Sequence, residues 1–306
     1  MRAVAILLCL VVFAASPVYA ATPCGQTGVA IQVLGSGGPI PDGGRASSGY
    51  LVWVDGHARL LVDAGGGTFL RFGEAGASIA DLDLICLTHL HTDHAADLPA
   101  LLKGGYFSNR SRPLPIIGPT GGGDFPDTAT FVRRLFARER GAFAYLYGFL
   151  DGRDGLFATP VRTVDAGASK PVQVWSEGGL TVAAVGVHHG PVPALGYLVT
   201  MRGKRIAFSG DQRGDAPAFT SMIKGADLLV MAHAIPQQAG RIARNLHATP
   251  EAIGHLAAAA EVHSLLLSHL MARSLAHLPE SQTIIRRHYA GPLRIADDLM
   301  CIDLGE

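Results

Sequence analysis

HLHTDH, residues 89–94, decides how this chain reads. It places His89, His91, Asp93 and His94 within six residues, directly after the apolar run Leu82 to Leu87. Three imidazoles and a carboxylate this close make a poor core and a poor loop but a good donor set for zinc-like cations. The spacing supplies a geometry. Residues two apart on an extended chain point the same way, so His89 and His91 can grip one metal. Asp93 and His94, at the turn into a following helix over Ala95 to Lys103, can face a second.

Working outward, three further polar positions share a topological property with His89. His189, Asp211 and His269 each follow the C-terminal end of an apolar strand: Leu180 to Val187, Arg205 to Phe208 and Ser264 to Leu267. Ligands of α/β proteins gather where strands end and loops converge. Asp211, in Phe208-Ser209-Gly210-Asp211, has two carboxylate oxygens and can bridge two ions, and Gly210 allows the backbone to approach closely. His269 then completes the second metal and His189 the first. Spacing alone leaves His188 open as the ligand in place of His189; the Gly190-Pro191 turn immediately after His189 favours the latter. Asp63, after the strand Arg59 to Val62, is either a partner that orients a ligand histidine or a turn residue.

The rest of the chain sets bounds. Its 306 residues are 48% apolar and 16% charged, enough for a large core, and Lys+Arg equals Asp+Glu at 25 each. That balance argues against nucleic acid as a partner. Arg2, the apolar stretch Ala3 to Ala15 and Val18-Tyr19-Ala20 read as a secretory signal over residues 1–20, cleaved before Ala21. The stretch is short for a membrane span, although an uncleaved anchor is the alternative. The mature chain, 21–306, is expected to be exported to the periplasm or secreted. Cys86 lies in a buried strand; Cys24 and Cys301 either pair in an oxidising compartment or stay free. Val29 to Leu34 reads as a strand, and Tyr50 to Val54 with Arg59 to Val62 as a hairpin around Asp55-Gly56. Thr249-Pro250-Glu251 is a capped helix start. Residues 124–160, with eight aromatic side chains and interleaved arginines, read as a helical insertion that either packs on the core or walls a pocket.

These motifs carry a resemblance. The chain resembles the metallo-β-lactamase-fold hydrolases over nearly all of its mature length, with HLHTDH matching the metal motif of that superfamily in full. Val33-Leu34-Gly35-Ser36-Gly37, His189-Gly190-Pro191 leading to Gly196-Tyr197, Ser209-Gly210-Asp211 and Leu267-Ser268-His269 resemble its ribonuclease Z and metal-dependent arylsulfatase branch. The resemblance implies a four-layer αββα sandwich with two metals at one sheet edge, held by His89, His91, Asp93, His94, His189, Asp211 and His269. His247-Ala248-Thr249-Pro250 resembles the family segment whose histidine contacts the scissile group or protonates the leaving group. A histidine near its ordinary pKa suits that role. The chain also departs from the pattern. Where ribonuclease Z usually has a glutamate after the strand matching Leu228 to Met231, it reads Met231-Ala232-His233-Ala234, so His233 either points into the site or is structural.

The expected function is that of an exported hydrolase with two zinc ions, manganese or iron being alternatives. It would cleave a small phosphodiester, sulfate ester or related ester by attack of metal-activated hydroxide, with His247 and Asp93 as catalytic groups. A homodimer is compatible with the sequence. Two alternatives stand beside this reading: a ribonuclease Z–like RNA endonuclease, and a non-catalytic metal- or ligand-binding module of the same fold.

Overall fold

A computed structural model describes residues 24–306; the expected signal segment lies outside them. Among the described residues, fourteen strands form two seven-stranded sheets. The first contains β1 (Val29–Gly35), β2 (Gly49–Val54), β3 (His57–Val62), β4 (Leu84–Cys86), β5 (Ile116–Pro119), β6 (Val161–Val164) and, from the end of the chain, β14 (Cys301–Gly305). The second contains β7 (Val172–Glu177), β8 (Leu180–His189), β9 (Val192–Met201), β10 (Lys204–Phe208), β11 (Leu228–Ala232), β12 (Leu265–Ser268) and β13 (Leu293–Ile295). In the first sheet the order is β14-β1-β2-β3-β4-β5-β6, and in the second β13-β12-β11-β10-β9-β8-β7.

Helices cover both outer faces. On the first lie α1 (Thr68–Glu74), α2 (Thr92–Ala95), α3 (Leu98–Gly105) and α4 (Thr128–Phe136). On the second lie α5 (Pro217–Met222), α6 (Arg241–Leu246), α7 (Pro250–Ala259), α8 (Ala272–Leu275) and α9 (Leu278–Arg286). Three apolar layers hold these four together. Alternate residues of the facing strands, such as Ile31, Val52, Leu60, Val182, Val199 and Phe208, fill the space between the sheets. Their neighbours on each strand, Leu51 and Leu61 on one side and Leu229 and Leu265 on the other, pack under the helices. Strands buried on both faces explain why the sequence shows near-continuous apolar runs there instead of alternation. The architecture is thus the expected αββα sandwich. Among the described residues no helix is long and apolar enough to cross a membrane.

Strand direction gathers the site. β3, β4, β5 and β6 run parallel, as do β10, β11, β12 and β13. β9 is antiparallel to both β8 and β10, so β8 and β10 point the same way. The C-terminal ends of β8, β10, β11 and β12 therefore share one rim. Bonds between the sheets fix this rim to that of the first sheet: Tyr197 Oη donates to Leu87 O at 2.8 Å, Tyr50 Oη to Ser268 Oγ at 2.8 Å, and Leu195 N to Thr88 O at 2.8 Å. Each anchor sits within two residues of His89 or His269.

Cys24 and Cys301 are joined by a disulfide, which ties the start of the described chain to β14, beside β1. Residues 124–160 hold α4 and a 3-10 segment, Ala144–Leu150. Phe136, Phe149 and Phe157 are buried in the helical layer of the first sheet. Phe125 lies against the rim, its ring 5.4 Å from that of His91.

Candidate metal centre

After β4 the chain leads to His91, itself extended (φ −65°, ψ 154°), and then turns into α2, which carries Asp93 and His94 in its first turn. His89 Nε2 lies 3.1 Å from His91 Nδ1, and His189 Nε2 lies 3.3 Å from the same nitrogen. Ligands 2.0–2.1 Å from a tetrahedral zinc stand about 3.3 Å apart. Those three nitrogens therefore have the spacing of one coordination sphere. A second group lies beside it: His269 Nε2 is 3.1 Å from Asp93 Oδ2, and His94 Nε2 is 3.6 Å from that oxygen. Asp211 stands between the two groups. One of its oxygens is 3.7 Å from His189 Nε2 and 3.2 Å from His269 Nε2, and the other is 3.7 Å from His94 Nε2.

The donor atoms fit a cation better than they fit one another. His94 Nε2 and Asp211 Oδ1 are buried without a hydrogen-bond partner, although they face each other. At 3.7 Å they are too far apart for a hydrogen bond but correctly placed as two ligands of one ion. Unpaired buried polar atoms are rare and costly, and two in one cluster of borderline donors point to a divalent metal of the zinc class.

The electrostatics agree. Burial disfavours the Asp211 carboxylate, but His269, His94, His247 and His189 outweigh it and hold the group well below the usual carboxylate range. Burial pushes His89 well down, helped by His94, and also lowers His91 and His189, leaving their imidazoles neutral as metal ligands must be. His94 moves the other way. Burial lowers it, yet Asp63, Asp211 and Asp93 raise it to about 9. For His269, burial is likewise overcome by Asp211 and Asp93, and the pKa is raised. The aspartates thus favour the protonated form of both rings wherever no cation takes the proton's place.

Asp63 proves to be more than a turn residue. Its Oδ1 accepts from Thr88 N at 2.7 Å, while Oδ2 accepts from Thr88 Oγ1 at 2.8 Å and faces His94 Nδ1 at 2.7 Å. That contact orients Nε2 of His94 toward the cluster. Asp63 and His269 both adopt left-handed backbone, φ 60° and 55°. This conformation is uncommon for non-glycine residues and collects at functional sites. Gly210 is required as expected: its φ is +54°, and a Cβ there would sit 2.9 Å from Leu195 O.

The strand alternation of β8 separates the two adjacent histidines. His189 is buried and its Nδ1 donates to Leu246 O at 2.7 Å, which leaves Nε2 for the cluster. His188 is exposed and pairs with Asp215. His233 is buried, lowered to about 4 by that burial, and lines neither the site cavity nor any group of candidate metal ligands. Both of its ring nitrogens are buried without a hydrogen-bond partner.

His247 departs from expectation in its acidity. It reaches the cluster, with Nδ1 3.6 Å from Asp211 Oδ2. Burial, opposed by Asp211 but reinforced by His269, His189 and Arg273, pushes its pKa down to about 3. The resting ring is neutral, not poised near its ordinary value, because a loop residue just before a helix is here folded under the rim. A cavity of about 350 Å³ opens over the cluster, lined by His91, Asp93, His189, Asp211, His247, His269 and Arg273. Sequence reasoning missed Arg273. It lies on α8, four residues after His269, and no spacing rule separates it from other surface arginines.

The fold and this rim of histidines and aspartates define a class. The family described as Beta-lactamase superfamily domain matches residues 58–270, and the chain belongs to it, as a metal-dependent hydrolase. Among curated relatives, the chain is 31% identical over 283 residues to Ribonuclease Z of Mycolicibacterium paratuberculosis, covering 89% of this chain and 96% of that protein. It is 28% identical over 290 residues to Ribonuclease Z of Mycobacterium bovis, covering 90% and 98%. Among solved structures, human tRNase Z, short form, superposes with a TM-score of 0.69 at 21% identity, covering 90% of this chain and 100% of that one. A metallo-beta-lactamase fold protein from Bacillus subtilis, YhfI, superposes with a TM-score of 0.68 at 20% identity, covering 90% and 98%. Both structures share the fold.

These relatives overturn one expectation, that the partner is a small-molecule ester and not nucleic acid. The error lay in reading a partner from a sum of charges. Net charge reports the whole surface, whereas a phosphodiester meets only the local field at the rim.

Proposed function

We propose that the protein is an exported ribonuclease of the ribonuclease Z type, cleaving RNA phosphodiesters with two zinc ions. The observation that carries this reading is the buried rim cluster with zinc-ligand spacing, on a chain similar to Ribonuclease Z over nearly its whole length. His89, His91 and His189 would hold one ion, Asp93, His94 and His269 the other, and Asp211 both. Such ions, when bound, lower the pKa of water and neutralise charge on phosphoryl oxygens.

The chain's own residues do the rest. Asp63 and Leu246 O fix the rings of His94 and His189 so that their Nε2 atoms converge. Arg273, at the cavity wall, meets a non-bridging phosphate oxygen with its guanidinium. Phe125, its ring 5.4 Å from that of His91, offers a face on which a base can stack. His247 rests neutral, so it would act as a carrier: its free ring nitrogen takes the proton shed by the attacking water and hands it to the leaving oxygen.

Labelled RNAs, single-stranded and folded, incubated with zinc-loaded protein provide the test, with bis(4-nitrophenyl) phosphate in parallel. RNA cleavage abolished by a chelator and restored by zinc is the expected result. Turnover of the aryl ester with every RNA left intact would sink the ribonuclease reading. Export is supported by the disulfide between Cys24 and Cys301, a bond typical of oxidising compartments. It predicts a periplasmic or secreted protein beginning at Ala21, which mass spectrometry of fractionated cells checks; a full-length cytosolic protein would refute it.

A further inference from the structure

A second cluster of metal-ligating side chains lies on the outer helical layer, and none of its members lines the central cavity. Glu251 and His255 stand one turn apart on α7, and His288 follows the end of α9. Their donor atoms all lie within 4.8 Å of one another. The rings of His255 and His288 are 3.8 Å apart between centroids and tilted by 35°.

The backbone beneath is arranged to bring these groups together. Gly254 sits within α7, where glycine is a weaker helix former than alanine. A Cβ at Gly254 would lie 2.9 Å from Ile285 O and 3.2 Å from the Cβ of His288. Its absence lets the end of α9 press against α7 and places His288 beside His255. Ile253, Leu256 and Ala257 pack with Ile285 and Tyr289 in one apolar layer, and Tyr289 Oη donates to Val262 O at 3.1 Å. The platform is therefore packed, with Glu251 and His255 exposed and His288 half-buried on it. Gln237 Nε2 donates to Glu251 Oε2 at 3.0 Å, and Gln237 Oε1 accepts from Glu251 N at 3.1 Å.

We propose that Glu251, His255 and His288 form a third divalent-cation site, selective for borderline ions such as zinc, which clamps α7 to the end of α9. Two imidazoles and one carboxylate are a sufficient protein set for zinc, with water completing the sphere. Small rotations of the exposed Glu251 and His255 side chains bring ligand atoms now within 4.8 Å to the spacing of about 3.3 Å that zinc requires.

Equilibrium dialysis of the native chain against zinc alone, compared with His255→Ala/His288→Ala, tests this. The double variant is expected to lose one zinc equivalent, or to bind it at least tenfold more weakly, while RNA cleavage is unchanged. Zinc added beyond saturation of the central pair should raise the Tm of the native chain and not of the variant. Anomalous scattering from zinc-soaked crystals should show a peak between His255 and His288. Equal zinc uptake by both proteins, or a map without that peak, would overturn the proposal. Neither readout depends on the substrate of the central site.

Discussion

The first sheet brings His89, His91, Asp93 and His94 to the rim in one loop after β4, whereas the second brings His189, Asp211 and His269 from three separate strand ends spread over residues 189–269. The first half is close to a local chelate, because an extended tripeptide and one helical turn already set its spacing. The second half exists only once β8, β10 and β12 share an edge. The difference teaches that completeness of the centre, and Asp211 above all, is a tertiary property. Loss of a single group from the second half should therefore damage the site more than loss of a group that orients the first.

The largest expected effect follows from Asp211→Ala. Removing the carboxylate that lies between both groups should lower RNA cleavage by on the order of 10³-fold or more, and metal analysis should show loss of at least one ion. Wild-type turnover with full metal content would break the comparison. Next, His247→Ala should keep metal content and lower turnover by about 10²-fold. The loss should be greatest with poor leaving groups, as measured on a series of aryl phosphodiesters; a uniform loss would remove its role in proton donation.

Asp63→Ala sharpens the first-half side of the comparison. The four groups of HLHTDH remain, but His94 loses the carboxylate that holds Nδ1, so zinc affinity should fall by about 10- to 100-fold. Competition with a chromophoric chelator reads that change. The smallest effect is in pH. In the metal-free protein His94, raised to about 9, is protonated at neutral pH, and His269 is shifted in the same direction, whereas a metal ligand must be deprotonated. Zinc binding near pH 7 should release at least one proton from these rings, and affinity should climb with pH until it levels above about 9. Calorimetry in buffers of different ionisation enthalpy measures the release. No release at pH 7 would show that the aspartates do not hold those protons.

Much of the fold was legible because apolar strands announce themselves. The hairpin around Asp55-Gly56, the strands leading to His189 and His269, and the Thr249 cap all lie where pattern and turn chemistry put them; Thr249 Oγ1 accepts from Ala252 N at 3.3 Å. Asp63, His188 and His189 were only half legible. Sequence places them at strand ends but not which way they face, and the pleat of β8 and the left-handed turn at Asp63 resolve that. Arg273 and Phe125 carried no periodic or spacing signal, because their approach to the rim depends on loops docking over it. The acidity of His247 was misjudged for the same reason: a pKa belongs to surroundings that a sequence does not display.

By itself, the sequence determined the alternation of strands and helices, the HLHTDH chelate and the set of histidines and aspartates at strand ends, since these follow from local geometry and residue chemistry. Tertiary structure alone decided that β8, β10 and β12 end on one rim, that Asp211 stands between two ligand groups, and that Glu251 and His255 meet His288 across Gly254. The reason is physical. Strand order and helix packing set distances between residues far apart in the chain, and coordination and electrostatics act through those distances.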